Sequence, residues 1–141
     1  MDCFLCRKNE DILIKRYRLW SLLIHRNQHY LGRSILSLNR HIVDLFDTTK
    51  EEREELFSIM KDVREVFKKL FSPDLFNYAS LGNNVEHLHL HIIPRYKKKR
   101  VFQGFEFFDE NWGRNYKPYD VDACPNKEIV DAIKEEIESI L

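Results

Sequence analysis

The sequence predicts an α+β fold, an antiparallel sheet packed with one long helix and a C-terminal helix. Three observations carry this. Short apolar segments bounded by turn residues fill roughly the first forty positions. An amphipathic stretch follows at 49–71, and a shorter one at 126–140. Between them His87-Leu88-His89-Leu90-His91-Ile92-Ile93-Pro94 alternates with the period of a strand. A long helix beside an antiparallel sheet gives the α+β class.

Taken in order, residues 11–15 and 18–25 read as two strands, and Gly32 closes a turn before a third, Ser34–Leu38. Thr48 with Glu51 three residues on is a capping-box signature for the helix at 49–71. Its apolar stripe is Leu56, Ile59, Met60, Val63, Val66, Phe67, Leu70 and Phe71, and Ser72-Pro73-Asp74 stops it. A strand at 75–80 and the loop Leu81-Gly82-Asn83-Asn84 lead into the histidine strand, which ends at Pro94. From Tyr96 to Asn126 the chain is aromatic and charged with little periodicity. The closing helix sets Ile129, Ile133, Ile137 and Ile140 on one side. No repeat, low-complexity tract or Pro/Gly-rich linker divides the sequence, so a single domain over 1–141 is expected.

Composition narrows the function classes. With 43% apolar residues the chain can build one sizeable core. Its 23 basic and 23 acidic residues cancel, which argues against nucleic acid or a membrane surface as partner. No apolar run approaches the roughly 20 residues of a membrane span. The opening Met1-Asp2-Cys3-Phe4-Leu5-Cys6 lacks the pattern of a secretory signal, so a cytoplasmic location is expected, where thiols stay reduced. Cys3, Cys6 and Cys124, an odd count, then make no disulfide framework.

The histidine row carries the chemistry. In a strand, His87, His89 and His91 share one face while Leu88, Leu90 and Ile92 share the other. With six histidines among 141 residues, chance yields this pattern in roughly one chain in a hundred. Two uses remain open. Neighbouring rings could ligate a metal, although His87 and His91 would stand about 13 Å apart, too far to share one ion comfortably. Alternatively a neutral imidazole attacks an electrophile such as phosphorus while its neighbours stabilise charge on the phosphoryl oxygens. The preceding loop favours the second use: Gly82 permits close backbone approach, and Asn83 and Asn84 offer uncharged amide donors. Cys3-x-x-Cys6 has the spacing of a metal knuckle. Lys97-Lys98-Lys99-Arg100 reads as a solvated basic turn, Trp20 as a core aromatic, and the stretch from Phe105 to Gly113 as packing. Cys124 has no assigned role.

His87-x-His89-x-His91 followed by two aliphatics resembles the signature of the histidine triad (HIT) superfamily of nucleotide hydrolases and transferases. Arg40-His41, ahead of Asp44-Leu45-Phe46 and an acidic helix start, is similar to a second landmark of the family. Asn77 and the exit Ile92-Ile93-Pro94-Arg95-Tyr96 also match, so the resemblance covers about residues 3–96 and leaves 97–141 as a family-variable tail. It implies a homodimer of α+β protomers acting on an adenosine nucleotide. His89 would attack the α-phosphorus to form a nucleotidyl-histidine that water hydrolyses. His91 would contact a nonbridging oxygen, and the His87 carbonyl would fix the His89 tautomer. Asn77 and Asn83 would support phosphate and ribose. A subset of the family resembles this chain in pairing an N-terminal C-x-x-C with two histidines, matching His41 and His87, which implies a structural zinc on Cys3, Cys6, His41 and His87 and no organic cofactor.

Three positions depart from the pattern. His25 stands where many members place an acidic residue or asparagine on the ribose hydroxyls. Asn84 stands where a hydroxyl residue often supports the leaving group, and Glu86 directly precedes the row. The Asn84 departure favours a diadenosine polyphosphate hydrolase over an adenosine 5'-phosphoramidate hydrolase. The competing class is a zinc-containing nucleotide-binding module without turnover.

Overall fold

Short apolar segments form five strands: β1 Leu13–Arg16, β2 Trp20–Ile24, β3 Ser34–Leu38, β4 Leu75–Ala79 and β5 His89–Arg95. The molecule, described here by a computed structural model, is defined over residues 3–7, 9–117 and 126–141, so Cys124 lies outside the described residues. The sheet is antiparallel throughout, in the order β1-β2-β3-β5-β4. Two helices, α1 Lys50–Phe71 and α2 Lys127–Ile140, complete the α+β architecture.

Pairing parity sorts the side chains onto two faces. Leu22 stands opposite Leu36, and Leu36 opposite Leu90; together with Ile59, Val63 and Phe67 of α1 they belong to the buried core. The other face carries Leu23 opposite Ile35, Ile35 opposite His91, and Ser37 opposite His89. The histidine strand therefore lies inside the sheet, its aliphatic residues anchored in the core.

The capping box of α1 is set one residue later than the sequence reading places it. Thr49 accepts from the Glu52 backbone N–H while Glu52 accepts from that of Thr49. Both Thr48/Glu51 and Thr49/Glu52 satisfy the pattern, and tertiary contact chooses between them. Glu52, 3% exposed, takes a two-pronged contact from Arg40 at 2.8 Å on each oxygen, and its carbonyl accepts from the Trp20 indole. Thr48 instead hydrogen-bonds the Leu45 carbonyl and closes a short 3-10 turn.

In α2 the buried stripe is Val130, Ile133 and Ile137; Ile140 is exposed, because the helix ends where the core ends. Between β5 and α2 the sequence reading placed no element. There β6 Arg100–Phe102 and β7 Phe105–Phe107 pair as a hairpin across Gln103-Gly104, both at positive φ, as a two-residue turn of matching twist requires. Beyond it, Asp109 reaches back to the Arg95 guanidinium at 2.7 Å, with both side chains buried.

Glycine has a steric role at Gly32, φ +89, where an added Cβ would meet the Phe71 ring at 3.1 Å. No helix among the described residues is long and apolar enough to cross a membrane. β4 is an edge strand, and beside it Tyr78, Leu75, Phe46 of the 3-10 turn and Phe57 of α1 are exposed, Phe57 by 72%.

Candidate functional site

A cleft of about 390 Å³ opens on the polar face of the sheet. His89 and His91 from β5, Ile35 from β3, and His25 and Arg33 from the β2–β3 connection line it, together with Gly82, Asn83 and Asn84. Strand parity explains the convergence: residues 23, 33, 35, 89 and 91 point to the same side. Phe4 and Leu5 close the cleft from the N-terminal segment.

His89 is buried and its tautomer is set. Its Nδ1 lies 2.6 Å from the His87 carbonyl, which can only accept, so Nδ1 carries the proton. In the neutral ring the Nε2 lone pair is then available for chemistry. The His89 and His91 centroids are 5.2 Å apart, and those of His25 and His91 are 5.9 Å apart. The His91 Nδ1 is buried without a hydrogen-bond partner among the described residues. Burial, then the positive charge of Arg33, lowers both neighbours: His25 to about 3 and His91 to about 4.

A second cluster sits behind the first. The ligand atoms of Cys3, Cys6, His41 and His87 lie within 4.8 Å of one another. The His87 Nδ1 is 3.3 Å from the Cys3 sulfur, 3.4 Å from that of Cys6 and 3.0 Å from the His41 Nδ1; Cys6 and His41 are 3.3 Å apart. A tetrahedral ion with ~2.1 Å nitrogen and ~2.3 Å sulfur bonds has ligand–ligand edges of roughly 3.4–3.8 Å, close to these separations. The His87 Nε2 donates to the Leu38 carbonyl at 2.7 Å, which leaves the Nδ1 lone pair facing the cluster, and burial keeps this ring's pKa below its ordinary value. The donor set suits zinc. The short 3-10 turn Phe4–Cys6 presents the thiols, with Asn9 holding the Phe4 carbonyl at 2.9 Å.

The structure thus divides the histidine row, with His87 in the sulfur cluster and His89 and His91 in the cleft. Asn77 shares the sheet face of the histidines, opposite Ile93, but its Oδ1 accepts from Arg95 at 2.8 Å and it stands outside the cleft. Glu86 is exposed, and Lys97–Lys99 are exposed past the far end of β5. Sequence reasoning did not single out Arg33, Asn27, Phe4 or Leu5. The signal for Arg33 was its parity with Ile35, which means something only once β3 is known to pair with β5.

A family model described as the HIT domain matches residues 9–98. The chain belongs to the HIT family. A bis(5'-adenosyl)-triphosphatase of Saccharomyces cerevisiae is 33% identical to this HIT chain over 72 residues, covering 48% of the chain and 35% of that protein. The match thus spans about a third of the relative. A histidine triad (HIT) protein from Sinorhizobium meliloti superposes with a TM-score of 0.76 at 22% identity, over 92% of this chain and 89% of that one. A zinc-bound histidine triad family protein from Mycobacterium smegmatis superposes with a TM-score of 0.59 at 17% identity, over 90% and 83%.

The depressed His25 and His91 values have a direct readout. Both rings stay neutral in the folded chain while the unfolded chain protonates them near 6.5, so they withdraw stability as pH falls from 6.5 toward 4 and return it as pH rises. Imidazole NMR titration of the folded chain is expected to give midpoints near 3 and 4; a midpoint near 6.5 for either ring contradicts this electrostatic picture.

Proposed function

We propose that this HIT chain hydrolyses adenosine nucleotides at the α-phosphorus through a nucleotidyl-histidine intermediate, and that its substrate is a diadenosine polyphosphate. The observation that carries this is the His89 tautomer: the Nδ1–carbonyl contact of 2.6 Å leaves Nε2 as the nucleophilic nitrogen in the cleft. Nε2 attacks the α-phosphorus, a P–N bond forms, and the P–O bond to the leaving phosphate breaks with its electron pair. Water then attacks the same phosphorus and yields its proton to solvent, the P–N bond breaks with its electron pair returning to Nε2, and AMP departs.

In this reading His91 meets a nonbridging oxygen through its unpartnered Nδ1. Gly82, Asn83 and Asn84 hold phosphate oxygens, and His25 bonds the ribose. His87 contributes its carbonyl. The relative named for bis(5'-adenosyl) triphosphate supports the substrate class. An adenosine 5'-phosphoramidate hydrolase, or a nucleotide-binding module without turnover, are the readings it competes with.

His89→Ala is expected to lower hydrolysis of diadenosine tetraphosphate at least roughly a thousandfold, and quenched wild-type turnover to hold an acid-labile AMP adduct on His89. Full activity in the variant on diadenosine tetraphosphate or adenosine phosphoramidate would remove His89 as nucleophile. A wild type that binds AMP yet cleaves neither compound establishes the binding module instead.

The sulfur–imidazole cluster is the proposed seat of a structural zinc, held by Cys3, Cys6, His41 and His87. Bound there, the ion ties the N-terminal segment to the entry of β5 and supplies no step of the reaction. The double substitution Cys3→Ser, Cys6→Ser should lose about one equivalent of zinc per chain by elemental analysis; unchanged zinc content sinks the assignment.

The exposed apolar residues beside edge strand β4 fit a homodimer. An unpaired strand edge templates a second copy, and a two-fold axis through it would bring the Phe57 and Tyr78 patches of both chains together. Light scattering is expected to give twice the chain mass for wild type and a smaller species for Phe57→Glu. A monomeric wild type at micromolar concentration refutes the dimer.

A further inference from the structure

Arg33 is 1% exposed, yet it lines the cleft, and it is the sole Asp, Glu, Lys or Arg among the described residues that do so. Its backbone is held from three sides. The Arg33 carbonyl accepts from the His25 N–H at 3.0 Å and from the Gln28 side chain at 2.7 Å, while the Arg33 N–H donates to the Tyr30 carbonyl at 3.0 Å. Gln28, fully buried, also grips the Gly32 N–H at 2.8 Å. The guanidinium lies 5.7 Å from the Tyr116 ring centroid, a cation–π contact with the segment that follows β7. This is a placed cation, not a surface arginine folded inward.

We propose that Arg33 is a substrate-binding residue whose guanidinium grips the anionic phosphate oxygens of a nucleotide seated between His25 and His91. The inference deepens the nucleotide-hydrolase reading and rests on it. Neutral rings donate or accept hydrogen bonds but do not balance charge, and His25 and His91 are neutral at pH 7. A phosphate brought against a guanidinium that is 1% exposed at the cleft wall finds its counter-charge there, and Arg33 supplies it. The planar fork matches two phosphate oxygens at once, which a lysine point charge does not. The same cation repels protons from the two imidazoles and so keeps their lone pairs and N–H groups available. Selectivity follows: occupants bearing a phosphate are favoured over the free nucleoside.

Calorimetry with AMP and with adenosine tests this on wild type, Arg33→Lys and Arg33→Met. Arg33→Met is expected to weaken AMP about 10- to 100-fold, the usual worth of a charge-assisted bond, while leaving adenosine unchanged. Arg33→Lys should recover only part of the AMP affinity. AMP and adenosine weakened in parallel would make Arg33 a structural residue and overturn the proposal. Should Arg33→Met fail to fold, the wild-type Arg33 Nε–Hε resonance decides: it must shift with AMP and not with adenosine. Binding needs no turnover, so the two readings fail separately. A protein that binds AMP through Arg33 but cleaves nothing loses only the hydrolase reading. One that hydrolyses with AMP affinity indifferent to Arg33 loses only this inference. No affinity for AMP in wild type defeats both.

Discussion

The hydrogen bond from the His87 ring to the Leu38 carbonyl, 2.7 Å long and buried, organises the site. Because the carbonyl can only accept, it fixes which His87 nitrogen is protonated and turns the other toward Cys3, Cys6 and His41. The same residue offers its own carbonyl to the His89 Nδ1 at 2.6 Å. One residue therefore couples three features: its ring joins the end of β3 to the N-terminal knuckle, and its backbone carbonyl sets the tautomer of the cleft imidazole. Further bonds brace it: Leu88 donates to the Ile42 carbonyl at 2.7 Å, and Leu38 to that of Leu88 at 3.2 Å. A displacement of His87 would be felt in both clusters, since its ring faces one and its carbonyl the other.

The sheet register supplies the second constraint. With Ile35 opposite His91 and Ser37 opposite His89, the face of the sheet away from the α1 core collects histidines, a buried arginine and the Gly82 loop. A slip of one residue would bury the imidazoles among Leu36, Leu56 and Val63 and expose the aliphatic row, which the core does not permit. Hydrophobic burial thus sets the register, and the register sets the chemistry. The resulting cleft is unusual in its charge: two imidazoles pressed well below their ordinary values around one arginine. Such perturbed groups gathered in a cleft mark a functional site.

Much of this was legible in the chain. The helix stripe of Leu56, Ile59, Val63, Val66, Phe67 and Phe71 buries as its spacing demands, and the division of the histidine row follows from the family resemblance. Other features were not. Two overlapping capping boxes were equally good in sequence, and the Arg40–Glu52 contact across the fold selected the second. The β6–β7 hairpin escaped because three-residue strands carry almost no periodicity and Gln103 is not a usual positive-φ residue. The bond from Arg95 to the Asn77 carboxamide, with Arg95 itself held by Asp109 14 residues on, has no local pattern to announce it.

By itself the sequence determined what local periodicity and residue chemistry can specify: the long helix, the alternation of the histidine strand, the thiol spacing and the family. Only the tertiary structure decided which side chains meet. His87 joins thiols 81 and 84 residues away, and Arg33 comes to stand beside His25 and His91. Neither has a local signal: the first depends on where the N-terminal knuckle meets the entry of β5, the second on strand register and on a turn locked by Gln28.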